Sequence, residues 1–283
     1  MSIRVAKSAG FCFGVNRAVE LVEQAAKATD RVCTLGPIIH NRHAVAHFEK
    51  MGVRVIESPQ EAKPGDTVII RSHGVTRAVY EQLKSRGVQI VDATCPFVKR
   101  IHGIVSRAEE EGRLPVIIGT RAHPEVEGIS GWCRNCQIFE SPQEMENWIK
   151  TDENRANLPI CIVCQTTSTE TLWDSCAEIA KKQFTNVKIF DTICKATESR
   201  QREAAQLAAQ CQAMVVVGDT HSSNTGRLVT ICQEHCGKVV LVDNANELEP
   251  EFFRSVNEVG VTAGASTPAW IIKEVNKTMS EIM

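Results

Sequence analysis

The sequence predicts an α/β protein made of three units of similar plan, and three observations carry that reading. Short apolar β runs alternate with helical patterns along the chain. Two passages nearly repeat each other: Ile90-Val91-Asp92-Ala93-Thr94-Cys95 and Ile189-Phe190-Asp191-Thr192-Ile193-Cys194 each run from an apolar strand through an Asp to a Cys that opens a helix. The amino terminus offers a third version, a strand from Ile3 to Ala6, then Gly10-Phe11-Cys12-Phe13-Gly14 and a helix from about Val15. Free amide N–H groups and the positive end of the helix dipole favour a thiolate where a strand hands over to a helix. Cys12, Cys95 and Cys194 are therefore a candidate metal site.

Taken in order, the first unit holds the Cys12 helix to Ala28, strand Val32–Thr34, the loop Gly36-Pro37-Ile38-Ile39-His40-Asn41 and a helix to about Met51. Strands near Val53–Ile56 and Thr67–Ile70 follow, then Arg71-Ser72-His73-Gly74, a helix through about Ser85 and strand Val88–Val91. The second unit has a helix to Glu111, strand Leu114–Ile118, the loop Gly119-Thr120-Arg121-Ala122-His123-Pro124-Glu125 and strand Leu158–Val163 before Gln165-Thr166-Thr167. The third has helix Ala196–Gln210, strand Met214–Val217, a loop through Ser222-Ser223-Asn224, and strands Val239–Val242 and Val259–Thr262 before Gly264-Ala265-Ser266. Boundaries near Cys95 and Cys194 give domains 1–95, 96–193 and 194–283.

Composition narrows the functional classes. The 283 residues are 43% apolar and 23% charged, ordinary for a globular protein. A net charge of -2 without a basic run argues against nucleic acid as a partner. No apolar stretch approaches the ~18 residues of a membrane span, and Met1-Ser2-Ile3-Arg4-Val5 lacks the order of a signal peptide. A cytoplasmic, reducing setting is expected. There, twelve cysteines point to metal ligation, redox chemistry or core packing rather than a disulfide framework.

The strand-to-helix loops carry His40, His73, His123 with Glu125, Thr166, Ser222-Ser223-Asn224 and Ser266. In open α/β sheets ligands bind at the carboxyl ends of strands, so these loops are expected to face a common centre. Histidines, hydroxyls and helix-start amides suit an anion such as phosphate. No dinucleotide fingerprint or phosphate-binding lysine loop is present, which argues against a nucleotide. Plainer roles exist for each residue taken singly: Ser222, Ser223, Asn224 and Ser266 are good helix caps, Asp92 and Asp191 can cap the helices beside their cysteines, and a lone Cys is usually a small buried hydrophobe. A rival metal site pairs Cys133-x-x-Cys136 with Cys161-x-x-Cys164, as in a zinc ribbon. Period-2 alternation along Ile160 to Val163 would send Cys161 and Cys164 to opposite faces, which counts against it.

Over nearly its whole length the chain resembles the 4-hydroxy-3-methylbut-2-enyl diphosphate reductase family, also called LytB. The resemblance rests on Gly10-Phe11-Cys12-Phe13-Gly14-Val15, Gly36-Pro37-Ile38-Ile39-His40-Asn41, Arg71-Ser72-His73-Gly74, Asp92-Ala93-Thr94-Cys95-Pro96 and His123-Pro124-Glu125-Val126-Glu127-Gly128. It continues through Gln165-Thr166-Thr167, Thr192-Ile193-Cys194-x-Ala196-Thr197, Ser222-Ser223-Asn224-Thr225 and Gly264-Ala265-Ser266-x-Pro268. Departures are Gly218-Asp219-Thr220-His221, where the family more often has a Gly/Ser-Lys-Asn run, and Ala269 in place of an Asp.

The resemblance implies three pseudo-symmetric, trefoil-like α/β units around a central iron–sulfur cluster. It implies a [4Fe-4S] cluster on Cys12, Cys95 and Cys194, one iron lacking a protein ligand and able to act as a Lewis acid. Glu125 would supply a proton with Thr166 orienting the substrate hydroxyl. His40, His73, His123, Ser222, Ser223, Asn224 and Ser266 would hold the diphosphate, whose charge favours protonated histidines. Glu127 competes with Glu125 if the segment is extended. The products would be isopentenyl and dimethylallyl diphosphate, closing the methylerythritol phosphate route to isoprenoids, with electrons from a ferredoxin or flavodoxin to a monomer or homodimer. Two other classes stay open here: an iron–sulfur sensor, which turnover with dithionite would separate, and a zinc-stabilised binding module, which elemental analysis would reveal.

Overall fold

Strands and helices alternate throughout the computed structural model, which describes residues 2–282. The first third contains β1 (Ser2–Val5), α1 (Phe13–Ala28), β2 (Val32–Leu35), α2 (Arg42–Lys50), β3 (Arg54–Ile56), β4 (Thr67–Ile70), α3 (Arg77–Ser85) and β5 (Gln89–Asp92). Next come α4 (Pro96–Glu110), β6 (Leu114–Ile118), α5 (Pro124–Ser130), β7 (Gln137–Phe139), α6 (Pro142–Lys150), β8 (Ile160–Cys164), α7 (Glu170–Gln183) and β9 (Val187–Ile189). The chain closes with α8 (Lys195–Ala208), β10 (Ala213–Val217), α9 (Ser223–His235), β11 (Val239–Val242), β12 (Glu258–Ala263) and α10 (Ala269–Ile282). The sequence reading passed over α5, β7, α6 and α7. Helix α6 nevertheless carries a start signal, since the Ser141 hydroxyl accepts the Glu144 amide and Pro142 occupies the first turn.

Every strand pairing is parallel, and the three four-stranded sheets follow one order: β3-β2-β4-β5, β7-β6-β8-β9 and β11-β10-β12-β1. The last strand in each order leads into one of the three turn cysteines. In the third sheet that strand comes from the amino terminus, with Ser2 opposite Glu258 and Val5 opposite Val261. The stretch 1–95 therefore contributes β1 to the sheet of the carboxy-terminal stretch. The physical reason lies in β12, whose backbone polar groups are buried and need ladder partners on both sides.

Two compact units result. One comprises Met1–Val19, Ile39–Met51 and Lys195–Met283, and holds the β11-β10-β12-β1 sheet. Its central strand β10 is buried on both faces: Val215 and Val217 pack with Ile271, Val275 and Met279 of α10, whereas Met214 and Val216 pack with Ala204 of α8 and Leu228 of α9. Full burial of a Val or Ile side chain stabilises by about 1.5–3 kcal/mol, so this double-faced strand anchors the unit.

The other unit comprises Glu20–Ile38 and Gly52–Cys194 and holds the remaining two sheets. Strand β8 repeats the double-faced design. Ile160, Ile162 and Cys164 join the cluster containing Trp173 and Ala177 of α7, while Cys161 and Val163 join the one containing Val105 of α4 and Val126 of α5. Cys161 and Cys164 thus face opposite sides of the sheet, and the four-cysteine zinc arrangement is ruled out because one ion cannot reach both.

Candidate active site

Each turn cysteine is tied by its backbone amide to a polar loop at the end of the neighbouring strand. Cys95 N donates to Ser72 O at 2.9 Å, Cys194 N to Thr166 O at 3.0 Å and Cys12 N to Ala265 O at 3.3 Å. The three acceptors follow β4, β8 and β12, the strands that pair with β5, β9 and β1. Asp92 accepts the Thr94 amide and Asp191 the Ile193 amide, both at 3.0 Å, so these acids form the turns leading to the cysteines rather than capping the helices beyond. Burial pushes the Asp92 carboxyl up, but hydrogen bonds from Lys99 and Thr94 outweigh it and hold the group below its ordinary value.

In the second unit the loop after β6 winds straight into α5. His123 is the cap of α5, its Nδ1 accepting the Glu125 amide at 3.1 Å. An Nδ1 that accepts a backbone amide carries no proton, so in this arrangement the ring presents Nε2–H as its donor. The His73 ring lies edge-on to it, with centroids 5.6 Å apart. Helical winding puts Glu125 and Glu127 on different sides of α5. Glu125 is 2% exposed, whereas Glu127 points to solvent. The Glu125 carboxylate is clasped by Thr166, accepting its amide at 2.6 Å and its hydroxyl at 2.7 Å. The buried Gln165 side chain fixes this loop, accepting from Thr120 N at 3.1 Å and donating to Thr167 Oγ1 at 3.0 Å. Gly119 is required there, because a Cβ would come within 2.8 Å of Gln165 and 2.9 Å of Val126.

In the first unit the polar residues gather at the starts of α2 and α9. Ser222 caps α9. Ser266 Oγ donates to the His40 carbonyl at 3.0 Å and lies 3.3 Å from Ser222 Oγ. Ser223 opens α9 and is half-buried. Asn224 is 4% exposed, and its side-chain nitrogen and oxygen both lack a hydrogen-bond partner. A buried amide left so incurs a desolvation cost that a ligand would remove.

Several organising residues escaped the sequence reading. Asp219, one of the departures noted above, is buried; it accepts Arg42 N at 3.1 Å and His221 N at 2.8 Å, joining the α2 start to the α9 start. The Arg42 guanidinium in turn bonds Asp243, which lies 3.1 Å from the His43 ring. Arg200, buried on α8, donates to the carbonyls of Ser8 at 2.6 Å and Gly10 at 2.7 Å, and Glu203 accepts Ser8 N at 2.9 Å; together they fasten the loop before Cys12. For Arg200 and Glu203 the sequence offered only a charge inside a helix, which reads as a solvated face.

The cysteines fall into two groups. Cys12, Cys95, Cys194, Cys133 and Cys136 are half-buried, and the other seven are buried. Burial pushes the Cys33, Cys161 and Cys176 thiols up to about 11 and those of Cys164 and Cys232 to about 12, which leaves them protonated and poor metal ligands.

Three parallel sheets of one plan, with a clasped carboxylate and a hydroxyl cluster in the loops at strand ends, define an α/β protein of the enzyme type. A family profile described as LytB protein matches residues 3–280. The chain is 42% identical to the 4-hydroxy-3-methylbut-2-enyl diphosphate reductase of Caldanaerobacter subterraneus subsp. tengcongensis, over 97% of this chain and 95% of that one. The Aquifex aeolicus protein of the same name is 39% identical over 100% of this chain and 97% of its own. A solved structure described as (E)-4-hydroxy-3-methyl-but-2-enyl diphosphate reductase, the terminal enzyme of the non-mevalonate pathway, superposes with a TM-score of 0.72 at 39% identity, covering 99% of this chain and 100% of that one. The Plasmodium falciparum reductase superposes with a TM-score of 0.90 at 28% identity, covering 99% and 87%. This chain belongs to the LytB family.

Proposed function

We infer that this chain is an iron–sulfur 4-hydroxy-3-methylbut-2-enyl diphosphate reductase. It takes the hydroxyl from an allylic alcohol diphosphate, with two electrons and two protons, to give isopentenyl or dimethylallyl diphosphate and water. The observation that carries this reading is the buried Glu125–Thr166 clasp in a chain matched end to end by LytB reductases. The donor set fits a [4Fe-4S] cluster on Cys12, Cys95 and Cys194, since each half-buried thiol stands directly before a helix, where the first-turn N–H groups favour a thiolate. When bound, the cluster would supply electrons singly and one iron without a protein ligand.

The remaining chemistry belongs to side chains. Thr166 Oγ1, 2.7 Å from Glu125, orients the leaving hydroxyl and relays the proton that Glu125 gives up. His123 offers its Nε2–H to the diphosphate, and His40, His73, Ser222, Ser223, Asn224 and Ser266 complete the anion site. For Asn224 the supporting observation is its unmet amide. A ferredoxin or flavodoxin would deliver the electrons to a cytoplasmic monomer or homodimer; of the units 1–95, 96–193 and 194–283, the first would present Cys12 and Cys95 to the cluster and the last Cys194.

The test is iron and sulfide analysis with absorption spectroscopy on anaerobically prepared protein, paired with dithionite-driven turnover. Wild type and Cys164→Ser should carry the cluster and turn over, and Cys12→Ser, Cys95→Ser and Cys194→Ser should lose stable iron or activity. Full iron content and turnover in Cys194→Ser would overturn the ligand assignment, and a loaded cluster without product would overturn the reaction.

A further inference from the structure

Two of the five half-buried cysteines, Cys133 and Cys136, have no part in the reading above. They sit just past the end of α5, where the chain keeps winding: Trp132 N donates to Ile129 O at 3.1 Å and Cys133 N to Ser130 O at 3.4 Å. Beyond it the chain bends through Cys133, Arg134 and Asn135, and Cys133 and Cys136 both pack against the apolar cluster of Val105, Val126 and Ile129. Arg134 and Asn135 are exposed at its tip. The Cys133 thiol donates to Ser130 O at 3.4 Å.

The base of the turn is anchored on three sides. The Trp132 indole donates to Val75 O at 2.9 Å, its ring stacks on His102 at 5.1 Å, and the Arg77 guanidinium lies 5.2 Å above it. Gly131 O accepts Arg77 N at 3.3 Å. The exposed tip carries only the Arg134 amide bond to Glu109, at 2.6 Å. With the base held and Arg134 and Asn135 exposed, the change needed to join the two sulfurs falls on the bend and leaves α5 in place.

We propose that Cys133 and Cys136 form a reversible thiol–disulfide pair, with Cys136 the attacking thiol, Cys133 the resolving thiol and a low-molecular-weight disulfide the oxidant. The thiolate of Cys136 attacks one sulfur of the oxidant, forming a mixed disulfide and releasing one thiolate. Cys133 then gives up its proton to solvent and attacks the Cys136 sulfur, forming the internal disulfide and expelling the second thiolate. The two cysteines lose two electrons and two protons, and the oxidant becomes two thiols. The order follows from the mutual influence of the two thiols, which holds Cys136 below its ordinary value and, with burial, raises Cys133, and from the Cys133 thiol being engaged by Ser130 O.

The test equilibrates anaerobically purified protein with glutathione and glutathione disulfide, alkylates the free thiols and maps them by mass spectrometry. In wild type Cys133 and Cys136 should lose alkylation together, with a mass decrease of two hydrogens that dithiothreitol reverses. Cys133→Ser should trap one glutathione on Cys136, and Cys136→Ser should leave Cys133 at least about tenfold slower to react. Full alkylation of both residues under excess glutathione disulfide would overturn the proposal. A lasting glutathione adduct in wild type, or faster capture at Cys133, would overturn the assigned roles.

Discussion

The carboxylate end of the candidate site and the hydroxyl cluster in the other unit are built on opposite terms. Glu125 has both oxygens taken by one partner residue, Thr166, and its backbone amide taken by His123. Asn224, equally buried, has both side-chain atoms without partners. A group that must move a proton gains from fixed distances, so the fold closes its hydrogen bonds. A group that must take a ligand gains from unmet ones, at a cost to the free protein of about 1–3 kcal/mol. What offsets that cost is local: the Ser222 cap, the Asp219 bridge to α2 and the close seat of Gly264, where a Cβ would meet Thr225 Oγ1 at 2.2 Å.

The widest separation is expected from Glu125→Gln. The amide still accepts Thr166 N and faces its hydroxyl, so the melting temperature should barely change and product should still bind, while turnover falls by on the order of a hundredfold or more. Glu127→Gln, at an exposed position, should be nearly silent. A dead Glu127→Gln beside an active Glu125→Gln would reverse the assignment.

Asn224→Ala should act in the opposite manner. Removing an unsatisfied buried amide should leave thermal stability level or raised, while affinity for a diphosphate product drops by about 1.5–3 kcal/mol, measured by calorimetry, and affinity for the matching alcohol holds. A lower melting temperature with unchanged affinity would make Asn224 a structural residue and erase the contrast.

His123→Asn separates cap from ligand within one residue. Asparagine is a good cap, so the α5 start and folding stability should persist. The Nε2–H is lost, and diphosphate binding should weaken by about 1.5 kcal/mol in the same calorimetric comparison. Equal loss for diphosphate and alcohol would show that the ring only shapes the turn.

The smallest effect is one that neither region should feel. Burial depresses His102 to about 4 from its ordinary 6.5, so between those values the unfolded chain binds a proton that the folded protein refuses. Stability should be flat above pH 6.5 and decline as pH falls toward 4, in urea titrations. His102→Phe should flatten that slope without altering product affinity. An unchanged slope would assign acid sensitivity to other groups.

Much of this was legible in the chain itself. The spacing of apolar runs marked the strands, with β4, β6 and β11 on the expected residues; β4 and β6 are buried on both faces and so read as near-continuous apolar runs. The cysteines before α1, α4 and α8 were visible because turn chemistry is local, and the alternation rule already separated Cys161 from Cys164. Tertiary structure alone decided what depends on partners distant in sequence. It assigned β1 to β12, buried Glu125 against Thr166 while leaving Glu127 exposed, and set His123 Nδ1 against the Glu125 amide. It also turned Asp219 and Arg200 from apparent surface charges into fasteners of the His40 and Cys12 loops. Periodicity records which side of an element is apolar, whereas a hydrogen bond between residues such as Ser266 and His40, 226 positions apart, exists only once the chain has folded.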